Sequence, residues 1–453
     1  MTFYRRKYGE EQPYWPLGKY KLRLPFIHYR LEIPELIQGL VIFTIGLSMV
    51  EIMTSVVGMS FLSALTTVIL TQFLMLIPST LGVPFVSGFI TPLLPILIVF
   101  LGEFEPGVEA IQALIAVQLL TAVIFLILGI TGLGTKFVLL LPSSLKGGIL
   151  IGAGIGAIMV EIQEGGRLAE TPISIIIGSV LCLYIMFSNS FKKISEKYPI
   201  FKFIANYGIM PAVIVAIIVG WAVGEYSSPK IEWGITLPSI SAIAEISPLV
   251  IGFPNKSLFV KAIPIAILAY VIAYGDIIVA DRLVSRTKKI RKDEKIEYSL
   301  GQVHTLTSIR NFLHALFAPH PGLAGPIFTA GTASVTERYT FGRKAMDSIY
   351  SGTNTLVISL CLAMFVTPLI SLFQPFLPIA LSITLILTGY LCITLGVQQL
   401  KTETEIGVAG ITAIVLTVYG AAHGLIVGLI LYFVVQKQTL FKKREMEVLK
   451  TNF

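Results

Sequence analysis

Two acids stand alone inside long apolar runs: Glu51 in Met49-Val50-Glu51-Ile52-Met53 and Asp276 in Tyr274-Gly275-Asp276-Ile277-Ile278. An ionised carboxylate surrounded by hydrocarbon is costly unless it is paired or protonated. The chemistry such groups offer is proton or cation coupling. The bland alternative is a structural hydrogen bond or an ion pair. Arg310 poses the same question in Thr307-Ser308-Ile309-Arg310-Asn311. Asp276 and Asp281 are its nearest acids in the preceding run, so an ion pair is the structural reading and contact with a substrate anion the functional one. Tyr270 and Tyr274 are four apart and share a helix face, where they could stack a flat ring. His304, His314 and His320 read as a proton relay or, preferably, as packed rings. No Cys or acid stands at ligand spacing from them, so no metal is expected.

The elements that carry these residues follow from composition. The chain has 453 residues, 55% hydrophobic and 13% charged, against about 25% charged in an ordinary globular domain. The apolar residues come in runs comparable to the roughly 20 that span a bilayer as helix. Candidate spans are 37–58, 60–81, 83–101, 108–131, 137–162, 172–188, 203–224, 258–284, 303–318, 326–338, 345–368, 377–397, 406–421 and 424–436. The fold class expected is an all-α polytopic membrane protein of about fourteen spans. Cys182, Cys361 and Cys392 lie inside apolar runs and read as packing residues. No cleavable signal peptide is expected, because residues 1–36 are polar and basic and the first run is long enough to span.

The net charge of +8 is sorted by loop, which argues against a nucleic-acid partner. With the N-terminus inside, most of the 34 basic residues fall on the cytoplasmic side, as the positive-inside rule requires. Clusters lie before the first span, at Lys192–Lys202, at Arg286–Lys295 and at Lys437–Lys450. The expectation is a multi-pass protein of the inner (cytoplasmic) membrane with both termini cytoplasmic. Five segments are expected: a cytoplasmic segment 1–36, a first seven-span repeat 37–224, an outer linker 225–257, a second repeat 258–436 and a cytoplasmic basic tail 437–453.

Seven spans cross an odd number of times, so a second set of seven has inverted topology, an arrangement transporters use with the site at the midplane. The third run opens Gly82-Val83-Pro84-Phe85-Val86-Ser87-Gly88 and the tenth Gly325-Pro326-Ile327-Phe328-Thr329-Ala330-Gly331. Both read as a short extended piece leading into a half-helix, its Ser or Thr capping free amides. Exposed amides at such a helix start bind electronegative atoms.

Three motifs carry a resemblance: Val83-Pro84-Phe85-Val86-Ser87-Gly88-Phe89, Tyr274-Gly275-Asp276, and Ser308-Ile309-Arg310-Asn311 followed by Leu316-Phe317. Together with Leu141-Pro142 and its trailing glycines, they resemble the superfamily joining the nucleobase–ascorbate (xanthine/uracil) permeases and the SulP anion transporters. The resemblance implies two inverted repeats of seven. It also implies a core domain (spans 1–4 and 8–11) moving against a gate domain (5–7 and 12–14), usually in a homodimer. It places the solute between the broken helices at Phe85, Ser87, Gly88, Phe89, Thr329, Ala330, Gly331 and Thr332, with Tyr270 and Tyr274 beside them. Asp276, Glu51 and Arg310 are the coupling candidates. The permeases' Glu three residues before the Gly-Asp pair is here Ile272, and their tenth-helix Ser-Glu-Asn is absent, so the substrate does not carry over.

No His-Glu-x-x-His, Gly-x-Ser-x-Gly or His-rich cluster occurs, so an enzyme is not expected and no cofactor is called for. A channel could use the same half-helices; saturable, gradient-dependent flux separates the two. Buried carboxylates suit ring N–H groups, hence a permease-like symporter of a nucleobase-type solute with a proton or sodium ion. The alternative is a SulP-like carrier of a small inorganic or carboxylate anion.

Overall fold

The computed structural model describes residues 6–198, 200, 201, 204 and 209–436. The expected basic tail and part of the start of the seventh run (203 and 205–208) lie outside them. Helix dominates because a segment apolar on all sides must pair its backbone groups internally. The first half contains α1 (Ile33–Leu47), α2 (Met49–Ser55), α3 (Phe61–Thr80), α4 (Leu94–Leu101), α5 (Val108–Thr131), α6 (Gly134–Leu140), α7 (Ser143–Ile162), α8 (Pro172–Phe187), α9 (Asn189–Lys197) and α10 (Met210–Ala222). The second contains α11 (Lys256–Ile290), α12 (Leu300–Phe317), α13 (Thr329–Thr340), α14 (Ile349–Ala363), α15 (Thr367–Phe373), α16 (Leu377–Gln398), α17 (Glu403–Tyr419) and α18 (Ala421–Leu431).

Among the described residues, 6 stretches are long and apolar enough to cross a membrane: Ile33–Ser55, Phe61–Thr80, Val108–Thr131, Ser143–Glu170, Lys256–Ile290 and Thr367–Gln398. The pair α8–α9, bent by 65°, adds a seventh if it is one span. Thr91–Leu101, Met210–Ala222, Ile349–Ala363 and Ala421–Gln436 are apolar but shorter.

Two boundaries differ from expectation for identifiable reasons. The fifth run divides into α6 and α7 at Leu141-Pro142. Proline has no N–H and pushes the preceding residue out of helical conformation, and Leu141 is indeed extended (ψ 126°). The eighth run continues past 284 to Ile290. Nothing in Arg282–Ile290 breaks a helix, so α11 emerges from the apolar zone carrying its basic residues.

The most extensive helix contacts fall into two groups. In one, α5 packs against α11 and α12, and α14 against α1 and α3. In the other, α7 packs against α16 and α17, and α8 against α10. Glycines make the second group close: a Cβ on Gly154 would lie 2.6 Å from the Gly389 oxygen, and one on Gly389 2.8 Å from that of Gly154. Gly147, Gly148 and Gly152 meet α16 or α17 as tightly, whereas Gly156 has open space.

The N-terminal segment is folded onto the first group. Its hairpin pairs β1 (Trp15–Leu17) with β2 (Tyr20–Leu22). Arg23 N–H donates to the Thr80 oxygen at 2.8 Å, and its guanidinium lies 3.8 Å from the Tyr350 ring centroid. Arg6 donates to Asp293 at 2.8 Å and also faces Glu294 and Asp347.

Candidate functional site

The two Pro- and Gly-rich openings meet. β3 (Gly88–Phe89) pairs antiparallel with β4 (Ala324–Gly325), Gly88 opposite Gly325 and Phe89 opposite Ala324. The ladder extends on both sides: Ile90 N–H donates to the Gly322 oxygen at 2.9 Å, and Phe328 N–H to the Val86 oxygen at 2.7 Å. Glycine is needed here for space. A Cβ on Gly88 would lie 2.7 Å from the Ile327 oxygen, and one on Gly325 2.6 Å from the Phe89 carbonyl carbon.

α12 supports this crossing with two adjacent residues. Arg310 donates to the Gly325 oxygen at 2.7 Å and to the Gly88 oxygen at 3.1 Å. Asn311 donates to the Ala324 oxygen and accepts from Ala324 N–H, both at 2.9 Å. Its amide therefore completes the strand edge as a third strand would. This corrects the expected ion pair. Among the described residues Arg310 has no carboxylate partner; its two terminal nitrogens each donate to one strand, and strands present carbonyls. Asn311 was visible in the motif but not singled out, because nothing in a sequence marks an amide as a strand mimic.

The hydroxyl residues also act differently from the cap expected of them. The helical turn after β3 begins only at Thr91, and neither that turn nor α4 nor α13 has a side-chain cap. Ser87 is buried and its hydroxyl finds no partner among the described residues. Thr332 instead accepts from Val86 N–H at 3.1 Å, across the crossing. The first-turn N–H groups of α13, on Thr329, Ala330 and Gly331, have no intrahelical acceptor, and Thr329 and Ala330 are exposed. That turn is the open electropositive end of the site. Phe89 is partly exposed and lies flat on His320, centroids 4.5 Å apart. Phe85 is buried and meets Tyr298 edge-on at 5.8 Å.

α11 brings Asp276 to this region, since it packs against both α13 and the turn Thr91–Leu93. Asp276 is half-buried. Among the described residues it has no hydrogen-bond or ion-pair partner, and Cys392 of α16 is within its electrostatic reach. Tyr270 and Tyr274 are not arranged as an open clamp. Tyr270 is fully buried, bonded through its hydroxyl to His304 at 3.1 Å and packed by Phe125 and Phe137. The rings of Tyr270 and Tyr274 are tilted by 38° at 6.0 Å. The periodicity gave their shared face correctly but not that α5 and α12 cover it.

Glu51 belongs to another group. On α2 it sits half-buried within reach of Glu161, Arg167 and Glu170. Glu161 is buried, ion-paired with Arg167, and accepts from Ser382 at 2.5 Å. A cavity of about 240 Å³ separates α4 and α11 from α7 and α17, lined by Pro95, Val99, Lys261, Ile265, Gly156 and Thr417 among others. None of the site residues expected from the sequence lines it. No cluster of His, Cys, Asp or Glu suited to a metal occurs among the described residues.

The architecture is shared with known transporters. It is similar to the transmembrane domain of a cyanobacterium bicarbonate transporter, BicA, at TM-score 0.55 and 16% identity, covering 87% of this chain and 96% of that one. It is also similar to SLC26A9 at TM-score 0.53 and 14% identity, covering 88% of this chain and 65% of that one. A comparison with curated protein sequences finds no match. At these identities the likeness concerns the fold. The sequence profile of the permease family of xanthine/uracil type matches residues 40–345, a stretch containing the crossing, its α12 support and Asp276. The chain therefore belongs to that permease family, as a multi-pass membrane transporter.

Proposed function

We propose that the protein is a proton-coupled secondary transporter of a small nucleobase-type heterocycle. The observation that carries this reading is the unpaired, half-buried carboxylate of Asp276 on α11, the helix that packs against α13 with its open first turn. A carboxylate accepts hydrogen bonds from ring N–H groups, while helix amides donate to ring carbonyls. One site then matches both edges of a heterocycle. Family membership supports the same solute class. Sodium is the alternative coupling ion. Glu51 is proposed as a secondary charged group at the contact of α2 with α16, and Arg310 as a positioning residue.

The reading includes fourteen spans as two inverted repeats, 37–224 and 258–436, joined by an outer linker at 225–257. Both termini face the cytoplasm, and the chain forms a homodimer in the inner membrane. The two packing groups of helices correspond to a core carrying the half-helices and a gate against which it moves. The cavity between α4 and α7 lies at their boundary.

A second reading is a SulP-like carrier of a small anion. The helix N-termini at the crossing favour it, and the similar BicA domain is from a bicarbonate transporter. Against it, the guanidinium of Arg310 is engaged with carbonyls on the strand side. A thermal-shift screen of purified protein at fixed chloride separates the two. A hit among nucleobases supports the first reading. A hit confined to oxyanions or carboxylates overturns it in favour of the second. A ligand at 100 times its Kd stabilises by about 2.7 kcal/mol, which such a screen resolves.

A further inference from the structure

Around the α12 support of the strand crossing, several buried polar atoms lack partners among the described residues. They are Arg310 Nε, both ring nitrogens of His314, His320 Nε2, Gln118 Oε1 and the Thr121 hydroxyl. All five residues are fully buried. They form one neighbourhood. The His314 and His320 rings meet edge-on at 6.0 Å, Arg310 acts electrostatically on both, and Gln118 donates to the His320 oxygen at 3.1 Å. Thr121 follows Gln118 by one turn on α5.

The protonation of His320 is fixed by its surroundings. Its Nδ1 accepts from Gly322 N–H at 3.0 Å, so the ring proton resides on Nε2. His320 Nε2–H and Arg310 Nε–H are then both obligate donors without an acceptor. The same neighbourhood contains one full positive charge, on Arg310, and among the described residues no carboxylate lies in ion-pair reach of it. A buried charge in this situation requires a counter-ion or pays a heavy desolvation penalty. The missing partner has to accept from two N–H groups and carry negative charge.

We infer that a small inorganic anion of the chloride class binds between Arg310 Nε–H and His320 Nε2–H. It is a fixed counter-ion for the crossing rather than the transported solute. It compensates the guanidinium whose other donors hold β3 and β4 together. Gln118 Oε1 and the Thr121 hydroxyl provide an acceptor and an ambivalent group for a water in the anion's shell. The site is separate from the solute position proposed above, so either can fail without the other.

The test uses the purified full-length chain without solute. The protein is exchanged exhaustively into sodium gluconate, and Tm is followed as chloride replaces gluconate at constant ionic strength. Binding of radiolabelled chloride is measured in parallel. Tm is expected to rise and saturate, with one chloride retained per chain. Arg310→Met and His320→Phe should each abolish the saturable response. The second keeps the stacking on Phe89 and decides the matter if the first does not fold. Equal Tm in the two salts with no retained chloride overturns the inference, as does a response that survives in the folded variants.

Discussion

Arg310, on α12, holds the Gly88 carbonyl of the other half of the chain at 3.1 Å while holding Gly325 at 2.7 Å. One guanidinium thus ties two strands that lie more than two hundred residues apart in sequence. Lysine cannot span both oxygens with the same planar fork. Arg310→Lys is expected to lower Tm, with a loss of about 1.5–3 kcal/mol for one charged hydrogen bond. An unchanged thermal unfolding curve would remove the tie from the account.

The glycines of the crossing should be intolerant for a reason that another glycine does not share. Gly325→Ala drives a methyl against the Phe89 backbone, which cannot rotate aside, and overpacking of this kind costs about 1–3 kcal/mol. Gly156→Ala meets nothing within 4 Å and should be neutral or slightly stabilising, since alanine favours helix. Comparing the two variants by Tm checks the assignment; equal effects would argue against it.

Asp276→Asn keeps the shape of the side chain and removes its charge and its proton chemistry. Coupled uptake into proteoliposomes is expected to be lost while expression and folding are retained. Full gradient-driven uptake by this variant would sink the proposed role.

Just beyond the end of α11, hydrogen bonds from Arg291, reinforced by Arg6, hold the Asp293 carboxyl at about 2, below its ordinary 3.8. A depressed carboxyl stabilises the fold at pH above its unfolded value and loses that contribution as pH falls through its folded one. Asp293→Asn should therefore destabilise at pH 7, by on the order of 2 kcal/mol. The gap to wild type should narrow to about half by pH 3. Unfolding measured from pH 7 to pH 3 tests this, and a constant gap contradicts it.

Arg6 is buried against Asp293, Glu294 and Asp347. Arg6→Met leaves three carboxyl groups facing one another with less compensation. Breaking a buried ion pair from one side costs about 3–5 kcal/mol, so a large fall in Tm is expected. A shift no larger than that of an exposed substitution such as Lys19→Met would show the contact to be dispensable.

The sequence revealed the helices and the two broken openings because both are local properties. Apolar runs must be helical in hydrocarbon, and Pro84, Pro326 and their glycines mark where helix stops. It did not reveal what Arg310 and Asn311 bind, since their partners are backbone carbonyls of other segments and carbonyls have no sequence signature. Tyr270 and Tyr274 were placed on one face correctly, but which neighbour covers that face depends on the packing of α5. The N-terminal segment was read only for its charge; its ties through Arg6 and Arg23 form with positions far along the chain.

Those ties make the segment a mechanical handle. Residues 6–32 are fastened to the helix group that carries the crossing, so their displacement reports that group's displacement. Lys19 is exposed on the hairpin, and Lys193 is exposed on α9, which packs against α8 of the other group. Cys182, Cys361 and Cys392 are all buried and should resist surface labels. Spin labels at Lys19→Cys and Lys193→Cys would form a ruler between the two halves of the machine, readable without touching the site.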